Sequence, residues 1–238
     1  MIDSGNNLRF VVGALCAALV FSAGAGARAQ TASKATKAAP TKAAAKPAAT
    51  AAAPATPPAD SSPMADLKKS NAALKKVLQQ KRPPGEKDSK TTEVRKVVGQ
   101  FLDFEELSRR SLARHWDTLT PKQRTEFVNT LRDLVESNYI KQIHGQPDYD
   151  LKFDKETKEG SDATVSATLV TTSKGKKVNV ALDYKMIYKG GKWVVYDVVT
   201  DEQSLLENYR AEFNKIIGKD GFDALLKRMR KKLEEKTE

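Results

Sequence analysis

The stretch KKVNVALDYKMIYKGGKWVVYDVVT, residues 176–200, decides the fold. Val178, Val180, Leu182, Tyr184, Met186 and Tyr188 fall on every second position, which is the period of a strand with one buried face. Gly190-Gly191 then offers two residues that accept positive φ, and the chain returns through Trp193 to Thr200 as a tight hairpin.

The same period continues upstream. Tyr149, Leu151 and Phe153 alternate with Asp150, Lys152 and Asp154, and Ala163, Val165, Ala167 and Leu169 alternate with Thr164, Ser166 and Thr168. Lys174-Gly175 is the turn into the central strand. Four strands joined this way make an antiparallel meander with one face toward the helices.

Outside the meander the period changes to that of helices. Leu67, Asn71, Leu74, Val77 and Leu78 form one stripe, closed by Pro83-Pro84-Gly85. A second helix is expected from Thr91 or Thr92, with Val94, Val97, Val98 and Phe101 inward, and Asp103 caps a third that runs to about Arg114. Thr120-Pro121 with Gln123 is a capping box, opening the longest helix. Its stripe is Phe127, Leu131, Leu134, Val135, Tyr139 and Ile143, and Gly145 with Pro147 ends it. Downstream, Asp201 is the expected cap of a helix carrying Leu205, Leu206, Tyr209, Phe213, Ile216 and Ile217, with Gly218 after it. A final helix runs from Phe222 to about Glu235. Helices, a meander, then helices define an α+β domain of about four strands and six helices.

The first 64 residues are of another kind. Arg9 precedes a 17-residue apolar run, Phe10 to Gly26, and Ala25-Gly26-Ala27 or Ala27-Arg28-Ala29 offers a cleavage site, so residues 1–29 read as an export signal. An uncleaved anchor is the rival reading, weakened by Gly13, Ser22, Gly24 and Gly26. Residues 31–59 consist of 14 Ala, 5 Pro, 5 Thr, 4 Lys and 1 Ser, which cannot bury a core. A disordered spacer over residues 30–64 and a folded domain over 65–238 are therefore expected. The only cysteine, Cys16, lies in the leader, which excludes a disulfide framework, a thiol nucleophile and a cysteine zinc site from that domain. Residues 65–238 carry a net charge of +7, read as solubility or attraction to an anionic surface; export argues against nucleic acid.

Motifs for chemistry are missing. There is no GxSxG, P-loop, GxGxxG, HExxH or EF-hand pattern, and His115 and His144 are the two histidines. Asp103, Glu105 and Glu106 suit a helix start, where carboxylates are favoured. Lys227, Arg228, Arg230, Lys231 and Lys232 form a basic run in the last helix, read as a solvated face or a docking patch.

Several blocks carry a resemblance. FLDFEELSRRSLARHW (101–116), TPKQRTEFVNTLRDLVESNY (120–139), GGKWVVYDVV (190–199), SLLENYRAEF (204–213) and GFDALLKRMRKK (221–232) resemble, in order, the MlaC family of periplasmic phospholipid carriers of the maintenance-of-lipid-asymmetry pathway. The likeness spans Met64 to Lys232; the Ala/Pro/Lys spacer departs from it. It implies an NTF2-like half-cone around an apolar cavity, with phospholipid as cargo and no other cofactor. It also implies a monomeric, non-catalytic periplasmic protein that docks transiently at membrane complexes, an inner-membrane ABC transporter and an outer-membrane lipoprotein complex. Lipid contacts are expected from Val178, Val180, Leu182, Tyr184 and Met186 of the central strand, opposed by Leu131, Val135, Tyr139, Leu206, Tyr209 and Phe213. Periodicity does not distinguish a hollow face from a filled one, so an adaptor with a filled core stays open, as does an enzyme on the same scaffold. The inward positions are almost all apolar, which argues against the enzyme.

Overall fold

The computed structural model describes residues 56–80, 87–143, 149–173 and 176–235. The expected leader, most of the spacer, the Pro83-Pro84-Gly85 and Gly145/Pro147 stops, His144 and the Lys174-Gly175 turn lie outside them.

Among the described residues, five strands follow one another in a single antiparallel sheet, ordered β1 (Tyr149–Glu159), β2 (Asp162–Ser173), β3 (Lys176–Lys189), β4 (Lys192–Thr200) and β5 (Gln203–Ser204). Gly190 (φ 61°) and Gly191 (φ 81°) make the expected two-residue turn, with Lys189 opposite Lys192. Among the described residues there are six helices: α1 (Pro63–Gln79), α2 (Lys87–Phe101), α3 (Phe104–Leu112), α4 (Pro121–Ile143), α5 (Leu205–Asp220) and α6 (Phe222–Glu234). A 3-10 segment, Ala113–Thr118, stands where α3 was expected to continue to Arg114. The capping box holds: Gln123 N donates to Thr120 Oγ1 at 3.3 Å, and Thr120 N donates to Gln123 Oε1 at 3.0 Å.

The helix α2 opens at Lys87, ahead of the expected Thr91 or Thr92, and three further boundaries differ from expectation for local physical reasons. The N-cap of α5 is Ser204, whose Oγ accepts from Glu207 N at 3.0 Å, not Asp201. Asp201 (φ 48°) and Glu202 (φ 65°) are used in the tight turn between Thr200 and Gln203, and buried Asp197 supports the cap by accepting from Ser204 Oγ at 2.6 Å and Leu206 N at 2.9 Å. At its other end α5 passes Gly218 and stops at Gly221, whose φ of 82° is open to a residue without Cβ. The first helix begins earlier than the composition suggested. Ser62 caps it, Pro63 takes its first turn, and Lys158 Nζ holds the preceding chain through Ala59 O (3.1 Å) and Ser61 O (2.9 Å).

The helices α3 to α6 share a second buried layer. Phe127 of α4 meets Phe213 of α5 edge-on at 5.4 Å, Tyr209 stacks on Phe213 at 5.3 Å, and Phe222 of α6 lies 6.0 Å from Phe127. Polar ties join α3 to the sheet. Glu106 accepts from Arg109 Nη2 at 2.6 Å and Arg110 Nε at 2.5 Å, while Arg110 reaches Asp162 at 3.1 Å and lies 3.9 Å over the Tyr196 ring. Burial pushes the Glu106 carboxyl up, but the hydrogen bonds and charges of Arg109 and Arg110 outweigh it, leaving it below the usual glutamate range.

Glu136 of α4 is the opposite case. It is 5% exposed, its carboxylate faces Gly99 of α2, and its ion pair with Arg95 is long at 3.9 Å. Burial raises its pKa, and Arg95 only partly opposes this. A carboxyl raised in the folded state binds more protons there than in the unfolded chain, so stability falls as pH rises from the ordinary glutamate pKa through the folded one. Glu136→Gln is therefore expected to raise the melting midpoint at pH 8, with the gain shrinking below about pH 4, where both states are protonated. Equal midpoints for the two proteins at pH 8 would show that Arg95 fully compensates the burial.

Candidate functional site

Strand β3 supplies the centre of an apolar face. Val180, Leu182, Tyr184, Met186 and Tyr188 are buried, Val178 is half-buried, and all pack in one cluster with Ala163, Val165 and Ala167 of β2 and Trp193, Val195 and Val198 of β4. The register explains the continuity, since Val180 lies opposite Leu169, Leu182 opposite Ala167, Tyr184 opposite Val165 and Met186 opposite both Ala163 and Val195. A bulge between Lys185 and Met186 lets both Val195 and Val198 join this face.

The element laid across the face is α1, which packs on β4, β1 and β2. Leu67 belongs to the cluster and Met64 packs at its margin. Polar contacts fasten this helix on both sides. On β1, Glu156 Oε2 accepts from Ser62 Oγ at 2.8 Å and Met64 N at 2.9 Å, and Tyr149 donates to Asn71 Oδ1 at 3.1 Å. Lys68 and Lys75 lie 5.5 Å and 5.3 Å over the rings of Phe153 and Tyr149. Burial pushes the Tyr149 hydroxyl up to about 12, so it stays a donor over the physiological range. On β4, Trp193 donates from its backbone N to Asp66 Oδ2 at 2.9 Å and from Nε1 to Ser61 Oγ at 3.1 Å.

The residues proposed to face β3 are distributed differently. Leu131, Leu206, Tyr209 and Phe213 are all buried, Phe213 against Phe127 and Tyr209, and none of the four is a member of the sheet cluster. Val135 is half-buried on α4; the side chain of Tyr139 is outside the described residues. Met64 and Glu156 were not singled out from the sequence as site residues, and Leu67 was read only as one position of a helix stripe. The stripe of α1 marks a buried helix face, but a stripe does not name the surface that covers it.

The basic run of α6 is largely neutralised. Arg228 pairs with Asp220, Arg230 with Glu126 and Lys231 with Glu235. Lys232 is half-buried, and its pKa is lowered by that burial against the pull of Glu212 and Glu235. Lys227 is exposed. No group of three or more His, Cys, Asp or Glu residues suited to a metal ion occurs among the described residues.

An open antiparallel sheet whose apolar face is met by α1, with Phe101 at the end of α2 packed against the same cluster, defines a small α+β domain built around that face. The family model described as MlaC protein matches residues 68–231, so the chain belongs to the MlaC family. It is 21% identical over 140 residues to the intermembrane phospholipid transport system binding protein MlaC of Haemophilus influenzae, a match covering 58% of this chain and 65% of that relative. The aligned part is thus slightly under two thirds of the relative's length. Among solved structures, the phospholipid-binding protein from Ralstonia solanacearum, determined in complex with a phospholipid, superposes with a TM-score of 0.63 at 20% identity over 73% of this chain and 98% of that one. That likeness establishes the fold.

Proposed function

We propose that this chain is a phospholipid carrier that sequesters acyl chains against the inner face of β3 and moves lipid between inner-membrane and outer-membrane transport complexes. The observation that carries the reading is the apolar face running from Val178 to Tyr188 and on to Trp193, Val195 and Val198, with Leu67 of α1 in the same cluster. Each buried methylene is worth about 0.8 kcal/mol, so two acyl chains need such a sheath to cross water. Membership of the MlaC family, and a relative and a structural neighbour whose names refer to phospholipid, support the same assignment.

In this reading Val178, Val180, Leu182, Tyr184 and Met186 touch the acyl chains, and loading parts α1 from the sheet. Leu131, Val135, Tyr139, Leu206, Tyr209 and Phe213 frame the helical wall. The leader directs export, and the mature chain works as a periplasmic, non-catalytic monomer; the absence of cysteine after residue 16 suits an oxidising compartment.

Native mass spectrometry of the chain purified from a periplasmic extract tests the assignment. A mass increment of about one phospholipid per chain is expected. A bare protein that also fails to take up phospholipid from vesicles would refute the carrier and leave the adaptor with a filled core.

A further inference from the structure

Arg132 and Lys192, neither of them in an ion pair among the described residues, line one cleft away from the apolar face. A cleft of about 320 Å³ opens between the α2–α3 junction, α4 and the β3–β4 turn, and is lined among others by Asp103, Glu105, Arg132, Lys189, Lys192 and Val194. Lys192 and Val194 alternate along β4 with Trp193 and Val195, which belong to the apolar cluster. The cleft therefore opens on the opposite side of this hairpin from the face assigned to lipid.

Its walls are held in place. Asp103 N donates to Val195 O at 2.8 Å, Leu102 bridges to Val195, and Lys192 Nζ donates to Gln100 O at 2.6 Å. Both acids are already engaged: Lys189 Nζ lies 2.9 Å from Asp103 Oδ2 and 3.0 Å from Glu105 Oε2, while Asp103 Oδ1 accepts from Glu106 N at 2.9 Å. Arg132 lies 5.5 Å over the Phe104 ring and acts at longer range on the buried Glu136 of its own helix, and neither Arg132 nor Lys192 has a carboxylate within ion-pairing distance among the described residues. The contrast with α6, where Arg228, Arg230 and Lys231 each have an acidic partner, makes this cleft the better electrostatic target.

We infer that the cleft is a docking site for a partner protein, which inserts an acidic side chain between Arg132 and Lys192 while lipid occupies the other side of the sheet. A guanidinium fork and an ammonium suit a carboxylate, and a concavity of this size admits one or two side chains but not a flat bilayer. Rim charges of this kind act chiefly on encounter rate and partner choice, which suits a contact that must form and release. The inference rests on the carrier reading.

The test uses the whole mature chain with Arg132→Glu and Lys192→Glu combined, the milder pair Arg132→Gln and Lys192→Gln, and Lys227→Glu as the control on α6. The probes are the solubilised inner-membrane transporter complex, the outer-membrane lipoprotein complex and vesicles containing anionic phospholipid. Both double variants are expected to bind at least one complex about tenfold more weakly at low salt, with a smaller loss at high salt, and to bind vesicles as wild type does. Lys227→Glu should match wild type. The inference is overturned if both complexes bind either double variant within about twofold of wild type, if wild type binds neither complex at low salt, or if only vesicle binding falls. Phospholipid content, measured in the same preparations, separates the two ideas: an empty wild-type protein contradicts the carrier, whereas a loaded variant that docks normally contradicts the cleft.

Discussion

Val180→Trp is expected to give a folded protein that retains less than about a tenth of the wild-type phospholipid, because the indole takes the space that acyl chains need on β3. Val180 is 3% exposed and lies in the same cluster as Leu67, so the new ring also presses on α1 in the empty protein. Overpacking of this sort costs about 1 to 3 kcal/mol. For a domain of this size that lowers the melting midpoint by roughly 2 to 4 °C per kcal/mol, measured against lipid-free wild type so that the missing ligand does not enter the comparison. Lys185→Trp is the control, since Lys185 sits on the other face of β3 and donates to Thr164 Oγ1 at 3.2 Å. It should leave lipid content unchanged. Full phospholipid occupancy in Val180→Trp would remove β3 from the binding surface.

Phe213→Ala separates a pillar of the fold from a wall of the pocket. Phe213 is 0% exposed, stacked on Tyr209 and edge-on to Phe127. Truncating such a side chain removes contacts on several sides and leaves a cavity, at a cost of about 3 to 5 kcal/mol, which makes this the most destabilising single change considered. The folded fraction should still carry its phospholipid in the wild-type ratio, because the ring belongs to the helical layer and not to the sheet cluster. Denaturant unfolding followed by lipid extraction of the folded fraction checks both halves. If stability were nearly unchanged while lipid content fell, Phe213 would line the cavity instead, and the site would have to extend from the sheet into the helical layer.

The features legible in the sequence are those in which a residue acts on its immediate neighbours. The alternation from Val178 to Tyr188, the Gly190-Gly191 turn and the Thr120/Gln123 box are short-range, and the structure contains each of them. Local rules also explain the errors. Asp201 is as good a cap by residue type as Ser204, and only the turn that needs Asp201 and Glu202 at positive φ decides between them.

What the sequence by itself determined is the set of buried faces and the order of the elements, because both depend on periods of two and of 3.6 residues that each segment carries alone. What only the tertiary structure decided is which buried face meets which. Leu67 and Leu131 read alike on their helices, yet Leu67 joins the sheet cluster and Leu131, equally buried, does not. The same holds for charge: Arg230 of the basic run finds Glu126 on α4, Glu156 on β1 caps α1, and Arg132 and Lys192 line a cleft whose acids, Asp103 and Glu105, pair with Lys189 instead. Apolar burial is non-directional and rewards any complementary surface, so the partner is selected by chain connectivity and packing over the whole domain, which no window of sequence contains.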